Sequence, residues 1–157
     1  MLDISNNLQY SCSMNIQLFP IIGYGIERLQ EIIIPKEQLH FVRFSPSAAQ
    51  YETIDNPWCF AVDVDGKCVG YLNAEEDFEG DLYIRKFVID QVHQHIGIGT
   101  AAMKQFIQMA QTSGTRFIML SVAYQNQNAE LFYKKLGFTN NELGLAEAGC
   151  KLLILPL

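Results

Sequence analysis

The stretch Ile89-Asp-Gln-Val-His-Gln-His-Ile-Gly-Ile-Gly-Thr100 constrains this chain more than any other. It ends an apolar run from Tyr83 to Ile89, passes a polar elbow from Gln91 to His95, and opens a helix at Gly97 to Thr100. A strand, a tight turn and a helix start in that order bring several backbone N–H groups round one point. Those amides have no partner within the helix, and the macrodipole adds partial positive charge, so the point attracts phosphate. Gly97 and Gly99 carry no Cβ, which lets a ligand approach the backbone. A rival reading takes Gly97-x-Gly99-x-x-Ala102 as a dinucleotide fingerprint. That reading needs a carboxylate roughly 20 residues on, at the end of the next strand. The run from Arg116 ends instead in Ser121, Val122, Ala123 and Tyr124, and the unit lies past mid-chain. The dinucleotide reading fails.

The bulk properties narrow the class. A chain of 157 residues, 49% hydrophobic and 18% charged, is long enough to bury a core and is of ordinary globular composition. We expect a poorly ordered lead-in over 1–14 and one domain over 15–157. A net charge of −6 with pI near 4.9 argues against a nucleic-acid or anionic-membrane surface. Cys12, Cys59, Cys68 and Cys150 show no Cys-x-x-Cys spacing, and no secretory pattern precedes them. Free thiols in a reducing cytoplasm are the expectation. No apolar run reaches the roughly 18 residues of a membrane span.

Patterning supplies the elements. A first strand is expected from Asn15 to Ile22, with Pro20 marking an edge or an end. Glu27 to Ile34 suits helix or strand, and Pro35 ends it. Lys36 to Phe44 carries Leu39, Phe41 and Val42 at helical spacing, and Ser47 is placed to cap a short helix reaching Thr53. Asp55-Asn-Pro57 is a loop. Strands over Cys59 to Asp63 and Cys68 to Ala74 flank Asp65-Gly66, a hairpin signal. Glu75 to Asp81 reads as an acidic connection. Leu82 to Ile89 is a strand whose parity changes at Arg85-Lys86, as a β-bulge would make it. A helix carries Ala102, Met103, Phe106, Ile107 and Ala110 and ends at Ser113-Gly114. Phe117 to Val122 is expected to lie parallel to the preceding strand through a right-handed crossover. Asn126 or Asn128 caps a helix from Ala129 to Leu136, which Gly137 stops. Lys151 to Leu157 is the last strand.

A second informative stretch is Asn126-Gln-Asn-Ala129-Glu-Leu-Phe-Tyr133-Lys-Lys-Leu-Gly137-Phe138. Alone it is an amphipathic helix with a glycine stop. Together with Gln94-His-Ile-Gly97-Ile-Gly99 it resembles the GCN5-related N-acetyltransferase (GNAT) superfamily, with both signatures in order and a helix and strand between them. The resemblance covers residues 58–157 well and the N-terminal third loosely. It implies an α/β (α+β) acyl-CoA N-acyltransferase fold. This is a mixed, mostly antiparallel, twisted sheet of six or seven strands, flanked by helices, with two central parallel strands splayed apart.

Carried over by position, the resemblance implies that the amides of Gln94, His95, Ile96, Gly97, Ile98, Gly99 and Thr100 cradle the pyrophosphate of acetyl-coenzyme A. The backbone around Val88 and Ile89 would pair with the pantetheine arm and polarise the thioester carbonyl. Asn126 would hydrogen-bond the cofactor near that arm, and Tyr133 would protonate the leaving thiolate. Two positions depart from the family pattern: Gln91 stands where a proline is usual, and His95 where a glycine is frequent.

The implied reaction is acetyl transfer to a primary amine of a small molecule. Such an amine is neutral only to the order of one part in a thousand at pH 7, so a base must act. A diamine or polyamine is the narrower expectation. It rests on the acidic residues Glu75, Glu76, Asp77, Glu79 and Asp81, with Glu75 and Glu76 as candidate acceptor-binding groups. Short phrases (Glu37-Gln38-x-x-Phe41-Val42 and Tyr83 to Asp90) are also similar to bacterial spermine/spermidine-type acetyltransferases. The alternatives are a protein or peptide acceptor and a non-catalytic coenzyme A-binding sensor. Retention of both Asn126 and Tyr133 favours catalysis. Homodimers are common in the superfamily, so a homodimer is among the implied states. No metal is expected, because His93-x-His95 lacks further ligands. His40 reads as a surface or cap residue and Trp58 as core.

Overall fold

The computed structural model describes residues 13–21, 26–142 and 146–157. Its centre is a seven-stranded sheet in the order β1-β2-β3-β4-β5-β7-β6. The strands are β1 (Ile16–Pro20), β2 (Cys59–Val64), β3 (Lys67–Glu76), β4 (Leu82–Ile89), β5 (Phe117–Ala123), β6 (Thr139–Asn140) and β7 (Cys150–Pro156). Three α-helices accompany them: α1 (Pro46–Glu52), α2 (Ile98–Thr112) and α3 (Gln127–Lys135). β4 and β5 run parallel, while the other neighbours pair antiparallel. This is the mixed, mostly antiparallel sheet that the resemblance implied.

Local chemistry accounts for most of these elements. Asp65 and Gly66 both take positive φ (50° and 86°), the conformation of a two-residue turn whose twist matches its strands. α2 buries Ile98, Ala102, Met103, Phe106 and Ala110, a stripe at helical spacing. Strand alternation then sorts the sheet into two faces. Phe60, Leu72, Ala74, Leu82 and Ile84 pack with Met103 and Phe106 of α2 and Tyr133 of α3. On the opposite face Ala61, Tyr71 and Val88 pack with Ile21, Leu29, Ile32, Ile34 and Ala49. β2 is therefore buried from Cys59 to Asp63, and its sequence does not alternate.

The N-terminal third differs most from the pattern-based expectation. β1 ends at Pro20 and is an edge strand; Ile22 and residues 1–12 lie outside the described residues. Ile26–Glu31 forms a 3-10 helix, after which Ile32 and Ile34 are buried and Ile33 is exposed. That alternation resolves the ambiguity: the segment is helical first and extended afterwards. Lys36 to Phe44 is not an α-helix, since only Lys36–Gln38 forms a 3-10 turn. Its Leu39 is 46% exposed while Val42 and Phe44 pack against the core that holds Tyr71, so its apolar residues do not share one helical face. Ser45 rather than Ser47 caps α1, by accepting from the Ala48 N–H, and Pro46 occupies the first helical position. β3 continues through Glu75 and Glu76, expected as loop, because they pair with Tyr83 and Leu82.

One glycine is set by close approach. A Cβ on Gly70 would lie 2.6 Å from the Val88 carbonyl oxygen and 2.8 Å from Ile89 Cδ1. Gly70→Ala should therefore push β3 from β4 and cost about 1–3 kcal/mol. The check is a lower urea midpoint at unchanged m-value.

Candidate active site

The site begins where β4 and β5 part. They pair at Leu82↔Ile118, Tyr83↔Met119 and Ile84↔Leu120, and no further, although β4 runs on to Ile89 and β5 to Ala123. The cause lies partly on the other side of β4. The β3–β4 register shifts between Asn73/Lys86 and Ala74/Ile84, leaving Arg85 as the extra residue of a bulge. This is the shift of parity expected at Arg85-Lys86. At the foot of the opening the hydroxyls of Tyr83 and Ser121 bond to each other across the two strands. The sequence reading missed this pair; their matching parity on neighbouring strands was the available signal.

Strand alternation decides which groups face the opening. Asp90 N–H donates to the Val69 carbonyl at 2.7 Å, so Val88 also turns its N–H and C=O toward β3. Ile89 and Phe87 then turn theirs toward the gap. Of the two positions named from the resemblance, Ile89 faces the gap and Val88 faces β3. Phe87 joins Ile89 as a residue that sequence reasoning did not single out.

Beyond β4 the elbow is built from Asp90. Its side chain accepts from Ile33 N–H (2.8 Å), Val92 N–H (3.3 Å) and His93 Nδ1 (3.0 Å). Burial alone would raise the Asp90 carboxyl, but the Ile33 N–H, His93 and the Val92 N–H outweigh it. Its pKa is held below the usual carboxylate value. His95 takes φ 62° and Gly97 φ 88°, so both bends of the loop are left-handed. The first explains why glycine is frequent where this chain has His95. From Gln94 to Thr100 no amide N–H donates to a protein acceptor among the described residues, and α2 begins without a side-chain cap. The space beside Gly97 is open, since a Cβ there would meet nothing within 4 Å.

α3 closes one side of the opening. Phe132 contacts the start of α2, its ring 3.5 Å from where a Gly99 Cβ would stand, and lies 6.1 Å from the Phe87 ring. Tyr133 sits between Phe132 and Phe138, with ring centroids at 5.1 and 5.4 Å. Burial pushes its phenol well above the ordinary tyrosine value, and its hydroxyl has no hydrogen-bond partner among the described residues. Asn126 is the cap of α3: its Oδ1 accepts from Ala129 N–H at 3.3 Å, leaving Nδ2 to donate elsewhere.

The acidic residues take different roles. Arg116 binds both Asp81 (2.7 Å) and Glu79 (2.8 Å), and Asp77 accepts from the N–H groups of Glu79 and Asp81. Those three carboxylates tie the β3–β4 connection to β5. Glu75 pairs with Arg85 (2.9 Å) and Glu76 accepts from Trp58 Nε1 (3.1 Å); both stay exposed. On the face opposite α2, Glu52 receives Lys86 Nζ, Tyr71 OH (3.0 Å) and Asn73 Nδ2 (3.4 Å). Burial pushes the Cys59 thiol up to about 11 and also raises Cys68, so neither supplies a thiolate. Among the described residues no group of three or more His, Cys, Asp or Glu is arranged to hold a metal ion, and no helix is long and apolar enough to cross a membrane.

Two outcomes follow from the elbow. The folded Asp90 pKa is depressed, so its contribution is complete above the unfolded value near 3.9 and is lost as pH falls through the lower folded value. Asp90→Asn should cost about 1 kcal/mol at neutral pH. It should also flatten the fall of the thermal midpoint below about pH 4. Gly97→Ala meets no atom but keeps a left-handed φ, and should cost about 1–2 kcal/mol, read by the same melts.

The model of the Acetyltransferase (GNAT) family matches residues 26–138. An uncharacterized N-acetyltransferase of Methanocaldococcus jannaschii is 30% identical over 95 residues. That match covers 57% of this chain, which spans 42% of the relative's length. The PaiA N-acetyltransferase of Thermoplasma acidophilum, solved with coenzyme A, superposes at a TM-score of 0.72 with 15% identity, covering 92% of this chain and 100% of that one. The ribosomal-protein-S18-alanine N-acetyltransferase of Escherichia coli gives 0.71 with 16% identity, covering 90% and 94%. At these identities the structures speak for the fold, whereas the family match extends over most of the sequence. The chain belongs to the Acetyltransferase (GNAT) family.

Proposed function

We propose that this protein transfers acetyl from acetyl-coenzyme A to a primary amine of a small molecule by direct attack. The observation that carries the reading is the parting of β4 and β5 beside an uncapped amide run. The residues present fit the cofactor: the amides from Gln94 to Thr100 have no protein acceptor among the described residues, and the space beside Gly97 is open. When bound, acetyl-coenzyme A supplies an acetyl group already activated as a thioester. Gln94 to Thr100 hold the pyrophosphate, and the gap-facing N–H groups of Ile89 and Phe87 orient the arm and the reacting carbonyl. Asn126 Nδ2 donates toward the arm. Tyr133 stays protonated throughout the physiological range because burial raises its pKa, and gives its proton to the departing sulfur.

The acceptor is read from two exposed carboxylates at the end of β3. Glu75 and Glu76 are exposed, and each is engaged through one oxygen, which supports a cationic diamine or polyamine. A protein N-terminus or lysine is the second enzymatic reading, and the E. coli structural neighbour, whose name gives a protein alanine acceptor, favours testing it. Residues 15–157 would act as one unit, and the free thiols of Cys59, Cys68 and Cys150 support a reducing, cytoplasmic setting.

The test is thiol release from acetyl-coenzyme A with spermidine, putrescine, amino acids, aminoglycosides and a lysine peptide. Turnover with one class identifies the acceptor. Tyr133→Phe should keep the melting temperature, since the hydroxyl has no hydrogen-bond partner among the described residues, and lower kcat about 10²-fold or more. In the wild type the alkaline limb should lie above about pH 10, because Tyr133 must stay protonated and its pKa is raised. Tight coenzyme A binding without turnover on any amine would favour the sensor reading.

A further inference from the structure

Gln94 opens the cofactor loop, and its side chain is fully occupied inside the protein. Its Nε2 donates to the Ile89 carbonyl at 2.8 Å and to Gln38 Oε1 at 3.0 Å. Gln38 Nε2 returns the bond to Gln94 Oε1 at 3.0 Å. The two amides thus form a reciprocal pair with both Nε2 hydrogens of Gln94 spent. The Ile89 bond also fixes which way each amide points, because a flipped Gln94 would aim its oxygen at a carbonyl. Gln94 is left only its backbone N–H for an anion.

The Gln38 side chain starts from a firm base. Its own N–H donates to the Pro35 carbonyl at 2.9 Å, and its carbonyl accepts from Phe41 and Val42 at 3.0 and 3.1 Å. A few residues earlier Ile33 makes two more bonds to the elbow, N–H to Asp90 Oδ1 at 2.8 Å and C=O from Gln91 N–H at 2.8 Å. The elbow is therefore gripped at its start by Ile33 and at its far end by Gln38.

We propose that Gln38, a residue of the N-terminal third, is a positioning residue of the coenzyme A site: it holds Gln94 so that the amide run converges on the pyrophosphate. The inference rests on the coenzyme A reading above. Without Gln38 one Nε2 hydrogen and the Oε1 of Gln94 lose their partner, and the rotamer that anchors the loop to Ile89 competes with solvated ones. The loss falls on pyrophosphate binding, since Tyr133 is packed between Phe132 and Phe138, and Val88 and Asp90 on either side of Ile89 stay bonded to β3.

Calorimetry with coenzyme A and kinetics with two donors test it. One donor is acetyl-coenzyme A; the other is the acetyl thioester of N-acetylcysteamine, which has no pyrophosphate. Gln38→Ala should raise the Kd for coenzyme A and the KM for acetyl-coenzyme A about tenfold, the worth of the lost pair. kcat should stay within about twofold, and kcat/KM for the short thioester should not change. Gln38→Leu keeps the side chain's bulk without its amide and should show the same split at a melting temperature lowered by no more than about 2–4 °C. Unchanged coenzyme A affinity in both variants overturns the proposal, as does an equal loss with both donors. Wild-type protein that binds no coenzyme A overturns it together with the reading beneath it.

Discussion

Backbone hydrogen bonds that β4 and β5 do not make with each other govern what this protein can hold. A buried strand edge is costly when its N–H and C=O groups lack partners, so a sheet normally pairs to its ends. Here pairing stops after Ile84↔Leu120, and the bulge at Arg85 turns the remainder of β4 away. The gap-facing N–H groups of Phe87 and Ile89 are thereby left without a neighbouring strand, while the Ile89 carbonyl is taken by Gln94. Phe132 and Tyr133 from α3 cover one side of that gap, and the amide run of Gln94 to Thr100 stands at its far end. Each of these features would lose its purpose if the ladder closed.

The N-terminal third acts as a fastener on that opening. Ile33 grips Asp90 and Gln91, Gln38 grips Gln94, and Glu52 at the end of α1 receives Lys86 just past the bulge. The Arg28–Asp63 ion pair fixes the same layer to β2, with Asp63 almost fully buried. Three segments that lie outside the two signature stretches thus define the positions of β4 and of the loop after it. The acidic residues show a similar division. Asp77, Glu79 and Asp81 are spent on the β3–β4 connection and Arg116, leaving Glu75 and Glu76 as the part of the cluster that faces outward.

Periodicity and turn chemistry determined a great deal from the sequence alone. The Asp65-Gly66 turn, β4 over Leu82–Ile89, the stripe of α2, the Asn126 cap and the change of parity at Arg85 are local facts, each readable within a dozen residues. The turn from β4 into α2 was equally legible, because a strand, an elbow and two glycines dictate where the chain bends. Other features depend on what lies across space. Lys36 to Phe44 has helical spacing, yet Val42 and Phe44 reach the core while Leu39 stays exposed, and Ile33 is held from across space by Asp90 and Gln91. The facing of Phe87 rather than Val88 into the gap follows from the β3 register, and the Gln38–Gln94 pair joins residues 56 positions apart. A sequence settles what neighbours along the chain can do, since rotamers, caps and turns act over a few residues. Which long-range hydrogen bonds are satisfied, and which are left for a ligand, only the packed sheet decides.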